Sequence, residues 1–464
     1  MDFTAPHRYE AITASNIQRH PLWLRLESEQ RHAIEVVSEV LPFKANNHVV
    51  DSLIDWSRVP QDPIFQLTFP QREMLEPEAF AAIERAKRGG DRARLKAIVD
   101  AVRETLNPHP AGQMTMNVPT INGTVLHGAQ HKYRETLLFF PAAGQTCHAY
   151  CTFCFRWPQF VGTEGWKFSA KDHELLVEYL AAHSEISDLL LTGGDPMIMR
   201  TSVLERYIKP IIEDPRLAHV QTIRIGTKAL AYWPQRFTSD EDADALLQLF
   251  ERVVASGRTL AFQAHVSHPV EFVPQVAQHA IRRIRSTGAI IRMQSPCIRH
   301  VNDDPEIWRR MWNEGVRLGC VPYYFFVERD TGARRYFDLP LTRCNEIFRD
   351  AYASVSGLAK TVRGPSMSAT PGKVHILGRS TIEDQDVFML QYLQCRRPEL
   401  VRRPFFAKFD PSATWFDQLV PARSADEMYF PRYWPRPSKS ETSVPESVTD
   451  GGIRVPLRVG TSEY

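Results

Sequence analysis

The sequence predicts an α/β fold. Three observations carry this expectation. Six short apolar runs recur between residues 137 and 327, and each is followed by a stretch of helical character. The hydrophobic fraction of 43% suffices for a sizeable core. Strands alternating with helices at this spacing imply a parallel sheet with right-handed crossovers.

The elements follow in order. Residues 1–122 read as a mainly helical region. Pro77 suits a first helical turn, where its missing N–H costs nothing. No proline interrupts residues 81–106, whose Ala, Arg, Lys and Glu content favours helix, and Gly89-Gly90 splits that stretch. Residues 107–123, rich in Pro, Asn and Gly, read as a linker. The core, residues 123–385, then runs LLFFP (137–141), helix over 170–183, DLLLT (188–192), helix over 203–213, TIRIGT (222–227) and helix over 240–255. It continues with TLAFQAHV (259–266), helix over 270–285, AIIRMQ (289–294), helix over 305–318, VPYYFFV (321–327) and helix over 342–355. Apolar runs of this kind suit strands covered on both faces. Six such units either curl into a partial barrel or stay open as a doubly wound sheet. Beyond residue 385 the pattern fades into an irregular C-terminal extension, 386–464. Its aromatic-rich stretch 405–434 is expected to pack on the core or on another subunit, and its polar end, 434–464, to be poorly ordered.

Charge is balanced, with Lys+Arg 56 against Asp+Glu 54, which argues against a nucleic-acid-coating protein. No window approaches the roughly 18 apolar residues of a membrane span. The first residues lack a basic patch followed by an apolar run, so a cytoplasmic protein is expected. Of seven cysteines, Cys147, Cys151 and Cys154 fall within eight residues. Cys297, Cys320, Cys344 and Cys395 are scattered and read as buried small hydrophobes. A reducing compartment with a thiolate-held metal centre fits this usage.

The spacing Cys147-x3-Cys151-x2-Cys154 follows the first core strand. Three thiolates there hold three irons of a [4Fe–4S] cluster and leave the fourth open, as a catalytic cluster requires. Tyr150, Phe153 and Phe155 would give it an apolar shell. The alternative is a zinc site with His148 as fourth ligand. At the end of the second run, Gly193-Gly194-Asp195-Pro196 lets backbone approach a ligand closely. A nucleophile elbow and a P-loop are both missing, which disfavours an ordinary hydrolase or nucleotide transferase.

CHAYCTFC (147–154) resembles the CxxxCxxC signature of radical S-adenosylmethionine (SAM) enzymes. The resemblance implies a partial (β/α)6 barrel and a [4Fe–4S] cluster whose open iron binds SAM. It also implies a reducing electron donor of flavodoxin or ferredoxin type and cleavage of SAM to a hydrogen-abstracting radical. A longer resemblance, over roughly residues 20–380, is to the lysine 2,3-aminomutase family. It rests on HKYRETLLFF, LLLTGGDPM, RIGTKALAYWPQRF, QAHVSHP, the Gln294-Ser295 pair, VNDDPE and VPYYFF. It implies SAM contacts at Gly193, Gly194, Asp195, His265 and Gln294. In that family pyridoxal phosphate (PLP) is held as a Schiff base on a lysine. The segment GLAKTVRGPSMSATPGK places Lys373 on that lysine.

The departures are specific. The two phosphate-binding arginines of the family match Lys132 and Thr136, and a tyrosine near PLP matches Phe326. The glycine run before the lysine is reduced to Pro371-Gly372. A zinc-ligating cysteine matches Asp304, and the C-terminal CxCxxC is missing. The carboxylate-binding arginine of the family matches Arg156. Two aspartates that pair with a lysine substrate match Arg329 and Ser366. The expected activity is therefore a 2,3-aminomutase acting on a small amino acid with an acidic or neutral side chain. The alternatives are a PLP-independent radical SAM enzyme and a zinc-structured binding module. A homo-oligomer is compatible with the sequence, and neither nucleic acid nor membrane is an expected partner.

Overall fold

The computed structural model describes residues 8–109, 114–162, 167–170 and 173–433. The polar end expected to be poorly ordered, 434–464, lies outside them. The architecture is mixed α/β, built on one eleven-stranded sheet. Its strands are β1 (Ala129–Tyr133), β2 (Thr136–Phe139), β3 (Asp188–Leu191), β4 (Thr222–Thr227), β5 (Thr259–His265) and β6 (Ile290–Cys297). They continue with β7 (Cys320–Val327), β8 (Arg363–Ser368), β9 (Gly372–Ile382), β10 (Gln385–Cys395) and β11 (Pro404–Lys408). Sheet order equals chain order. The neighbours from β2 to β8 are parallel, while β1 and β9–β11 join antiparallel.

The six expected strands and the helices between them are all present. The helix Pro305–Leu318 shows why its limits were legible. Asp304 accepts from the Glu306 N–H at 2.7 Å, Pro305 starts the first turn, and Gly319 ends it at φ 86°. Asp304, which the resemblance matched to a zinc-ligating cysteine, thus caps a helix. Gly89 and Gly90 separate helices Pro77–Arg88 and Arg92–Leu106, as expected.

The irregular C-terminal segment is corrected. β10 and β11 lie beyond residue 385 and extend the same sheet. The β9–β10 hairpin turns through Glu383 and Asp384, both at positive φ, in a two-residue loop. Such loops prefer Asn-Gly or Asp-Gly, so Glu-Asp gives no turn signal. Phe405, Phe416, Tyr429 and Phe430 are buried in the same core as the parallel strands, so the aromatic stretch packs on the sheet. Cys297, Cys320, Cys344 and Cys395 are all buried.

A second core, formed by residues 12–99, lies against the end of the sheet that carries the cysteines. It takes in Ala149, Phe153 and Trp157 from the cysteine loop. The two sides of the sheet also meet. The Lys132 ammonium in β1 donates to the Ala369 carbonyl beyond β8 at 2.6 Å. Seven strand spacings of about 4.8 Å would hold these strands roughly 34 Å apart in a flat sheet. No described helix is long and apolar enough to cross a membrane.

Candidate active site

The cysteine loop leaves β2 and is gripped by the N-terminal layer. Lys44 Nζ donates to the Cys147 carbonyl at 2.7 Å, and the Tyr150 N–H donates to the Lys44 carbonyl at 2.7 Å. The Tyr9 hydroxyl and the Asn46 amide donate to the His148 carbonyl at 2.7 and 3.2 Å. The Thr152 N–H donates to the Leu67 carbonyl at 2.9 Å. The N-terminal region, read from sequence only as helical, therefore holds the loop in place. No sequence signal marked Tyr9, Lys44 or Asn46.

Burial disfavours ionisation of all three thiols. Burial first, and mutual repulsion second, push Cys154 up to about 12. Burial pushes Cys151 up to about 11, although the Lys228 cation opposes this. Burial, then Asp195 and the other two thiols, raise Cys147 well above the usual range. Three buried thiols in this state become ligands only when a metal supplies the positive charge. The ring of His148 stacks on Trp233 with centroids 6.4 Å apart and meets Tyr9 edge-on. Among the described residues, the one group of three ligand atoms lying within 4.8 Å of one another is His109, Asp330 and Asp417.

The Gly-Gly-Asp turn after β3 docks on this loop. The Asp195 N–H donates to the carbonyls of Gly144 and Thr146 at 3.0 and 2.8 Å. A Cβ on Gly194 would stand 2.5 Å from both the backbone N and O of Thr146. The glycines thus permit close approach to the cysteine loop itself. The Asp195 carboxylate accepts from the Thr227 hydroxyl and from the Met197 and Lys228 N–H groups at 2.7, 2.9 and 2.9 Å. Burial nonetheless pushes it up to about 6.

Beside it lies a buried ion pair that sequence reasoning missed. Lys228 Nζ reaches Glu271 Oε1 at 2.8 Å, with the side chains 9% and 1% exposed. Lys228 also donates to Ser267 Oγ at 3.2 Å, and Ser267 Oγ lies 3.2 Å from His265 Nε2. The His265 ring meets Phe153 edge-on at 5.6 Å. His265, Gln294 and Tyr324 form one row across β5, β6 and β7.

Beside that row lies Lys373, whose Nζ sits 3.9 Å from the centroid of the Tyr324 ring and 5.5 Å from that of Phe326. Burial, then the cations Arg224, Arg363 and Lys132, hold its amine well below the usual range. Lys132 is pushed down to about 7 by burial, with Arg396 and Arg329 next. Among the described residues, Lys132, Arg156, Arg329, Lys373 and Arg396 form no ion pair with a carboxylate. Asp330, Glu328 and Asp417 lie near Arg329 alone of these five, so the gathering of Lys132, Lys373 and Arg396 suits an anion. A lysine of depressed basicity within it fits a phosphorylated aldehyde such as PLP. Thr136, at the place of the second family arginine, donates to Asp188 at 3.2 Å, and Asp188 also holds Arg224.

Arg156 and Arg329 flank the Phe155 ring, each guanidinium carbon 5.0 Å from its centroid. Arg156 is buried and also lies 4.1 Å from Phe140; burial, foremost, lowers it to about 9. The buried Nε of Arg329 has no hydrogen-bond partner. Ser366 is buried in β8, where its hydroxyl donates to the Phe325 carbonyl at 3.5 Å. Asp330, next to Arg329, is engaged by His109 at 3.0 Å.

No family model matches the chain. A protein of Aquifex aeolicus named as a putative L-lysine 2,3-aminomutase is 32% identical over 396 residues, covering 85% of this chain and 92% of that protein. The L-lysine 2,3-aminomutase of Haemophilus influenzae is 28% identical over 252 residues, 54% of this chain and 70% of its own length. That of Escherichia coli is 26% identical over 250 residues, 54% and 68%. With likeness of this extent, the chain belongs to the lysine 2,3-aminomutase family of radical SAM enzymes and is an enzyme of that type.

Proposed function

We propose that the protein is an amino-acid 2,3-aminomutase that moves the α-amino group of a dicarboxylic amino acid to the neighbouring carbon, on a core curled into a partial barrel. The supporting observation is the pair of guanidiniums about Phe155. Arg156 and Arg329 offer two forks to two carboxylates, and among the described residues neither forms a direct ion pair with a carboxylate, although Asp330, Glu328 and Asp417 act on Arg329 from nearby. A lysine substrate would bring its ammonium against Arg329.

Cys147, Cys151 and Cys154 would hold a [4Fe–4S] cluster, with SAM at its open iron beside Gly194, His265 and Gln294. Lys373 and Lys132 would hold PLP. When bound, the cluster supplies an electron that splits SAM to a hydrogen-abstracting radical, and PLP supplies a π system that spreads an unpaired electron. The chain's own contribution is placement. Burial, and then the neighbouring cations, hold the Lys373 amine well below its usual range, which favours its use as a nucleophile. Arg156 and Arg329 fix both ends of the substrate. Phe153, Phe155 and Tyr324 shield the space between from water.

The reading is tested on protein reconstituted anaerobically with iron and sulfide. Glutamate and lysine are offered separately with SAM and a reductant, and 5′-deoxyadenosine and the β-amino isomer are measured. Isomerisation of glutamate is expected. Turnover of lysine alone refutes the substrate assignment, and failure to form a cubane spectrum refutes the whole reading.

A further inference from the structure

Arg396 belongs to no motif and lies 23 residues beyond Lys373 in the chain. The β9–β10 hairpin pairs Gly372 with Cys395 and so returns Arg396 to the start of β9. There the Arg396 N–H donates to the Pro371 carbonyl at 2.9 Å, and its Nε donates to the Thr370 carbonyl at 3.0 Å. The Lys132 ammonium takes the preceding carbonyl, Ala369, at 2.6 Å. Two cations therefore grip consecutive carbonyls of the turn that leads into Lys373. One arrives from β1 and the other from the end of β10.

Neither side chain is used up. An ammonium has three donors and a guanidinium five N–H groups. Each makes one side-chain hydrogen bond among the described residues. No carboxylate forms an ion pair with either. Lys373 follows that turn at the start of β9, with its Nζ over the Tyr324 ring. Like charges gathered without a counter-ion are unfavourable unless an anion joins them. A fork and an ammonium converging on one turn match the oxygens of a phosphate ester dianion.

We propose that Arg396 and Lys132 form a two-cation clamp for the phosphate of PLP, Arg396 supplying the charge that Thr136 does not. This rests on the PLP reading given above. A merely structural Arg396 would staple the turn and affect every ligand of Lys373 alike, whereas a clamp affects only phosphorylated ones.

The full-length chain and its Arg396→Gln and Lys132→Gln variants are titrated with PLP and, separately, with pyridoxal, which lacks the phosphate, following the Schiff-base absorbance. Losing one charge-assisted contact is expected to weaken PLP binding about ten- to a hundredfold and leave pyridoxal binding within about twofold. PLP affinity equal to wild type in Arg396→Gln overturns the clamp. Equal losses for PLP and pyridoxal also overturn it, in favour of the staple. If Arg396→Gln does not fold, Arg396→Lys decides by the same comparison, because it loses the fork. If the wild type takes up no PLP, the PLP reading fails separately. Equilibrium dialysis with inorganic phosphate then decides the clamp: retention by wild type and loss in the variant uphold it, and no retention overturns it.

Discussion

Replacing Gly194 with alanine probes the joint between the cysteine loop and the turn after β3. The new Cβ would lie 2.5 Å from Thr146 N and O and 2.8 Å from Gln145 C, whereas ordinary contact begins at 3.4 Å. All three atoms are backbone, so no side chain can swing aside. The two segments must part by roughly 0.9 Å, a strain in the range of about 1–3 kcal/mol for overpacking. Parting also stretches the bonds from the Asp195 N–H to Gly144 and Thr146, worth about 1 kcal/mol in net terms. A local penalty of roughly 2–4 kcal/mol falls on the loop that carries all three cysteines. Iron and sulfide per chain after anaerobic reconstitution, with the cubane absorbance, should fall well below wild type while the far-ultraviolet circular dichroism is kept. Gly89→Ala is the control, since its Cβ meets the Arg85 carbonyl at an ordinary 3.4 Å. Full iron loading of Gly194→Ala would refute the claim that this close approach shapes the site.

Glu271→Gln leaves the Lys228 charge buried without its partner and should cost about 3–5 kcal/mol, read as a lower midpoint in chemical denaturation; an unchanged midpoint contradicts this. His109 is held above the ordinary imidazole range, chiefly by its hydrogen bond to Asp330. Its docking is then complete below about pH 6.5 and is lost as pH rises through the raised value. An NMR titration should show that value dropping in Asp330→Asn, and no change would count against the pairing. Arg329→Ala should weaken competition by dicarboxylic amino acids about ten- to a hundredfold and spare monocarboxylic ones. Equal losses for both classes would remove Arg329 from the side-chain site.

The parallel core was legible because its strands are apolar runs covered on both faces, such as DLLL in β3 and CVPYYFFV in β7. β8 was not, since RGPSMS contains a Gly-Pro pair and carries no apolar run. β9 alternates buried Gly372, Val374 and Ile376 with half-buried Lys373 and His375, and then exposed Leu377, Arg379 and Thr381 with half-buried residues, a two-sided pattern rather than one apolar run. The cysteine loop announced itself because its three cysteines sit within eight residues. Arg396 and the Lys228–Glu271 pair stayed hidden because partners so far apart in sequence are joined by hairpin register or by neighbouring strand ends. Arg156 and Arg329 were visible only as matches to family positions. That they share one aromatic ring depends on how the ends of β2 and β7 converge.

The bond from Lys132 to Ala369 spans 237 residues of chain. Contacts of such separation form late, because the loop must close before any reward is felt. The pocket proposed above for an aldehyde phosphate, assembled across that gap, would not exist in a half-made or half-folded chain. A ligand held there binds the finished fold alone and draws the equilibrium toward it by mass action. Shortage of that ligand in a growing cell would then lower the amount of intact protein, before any question of turnover arises.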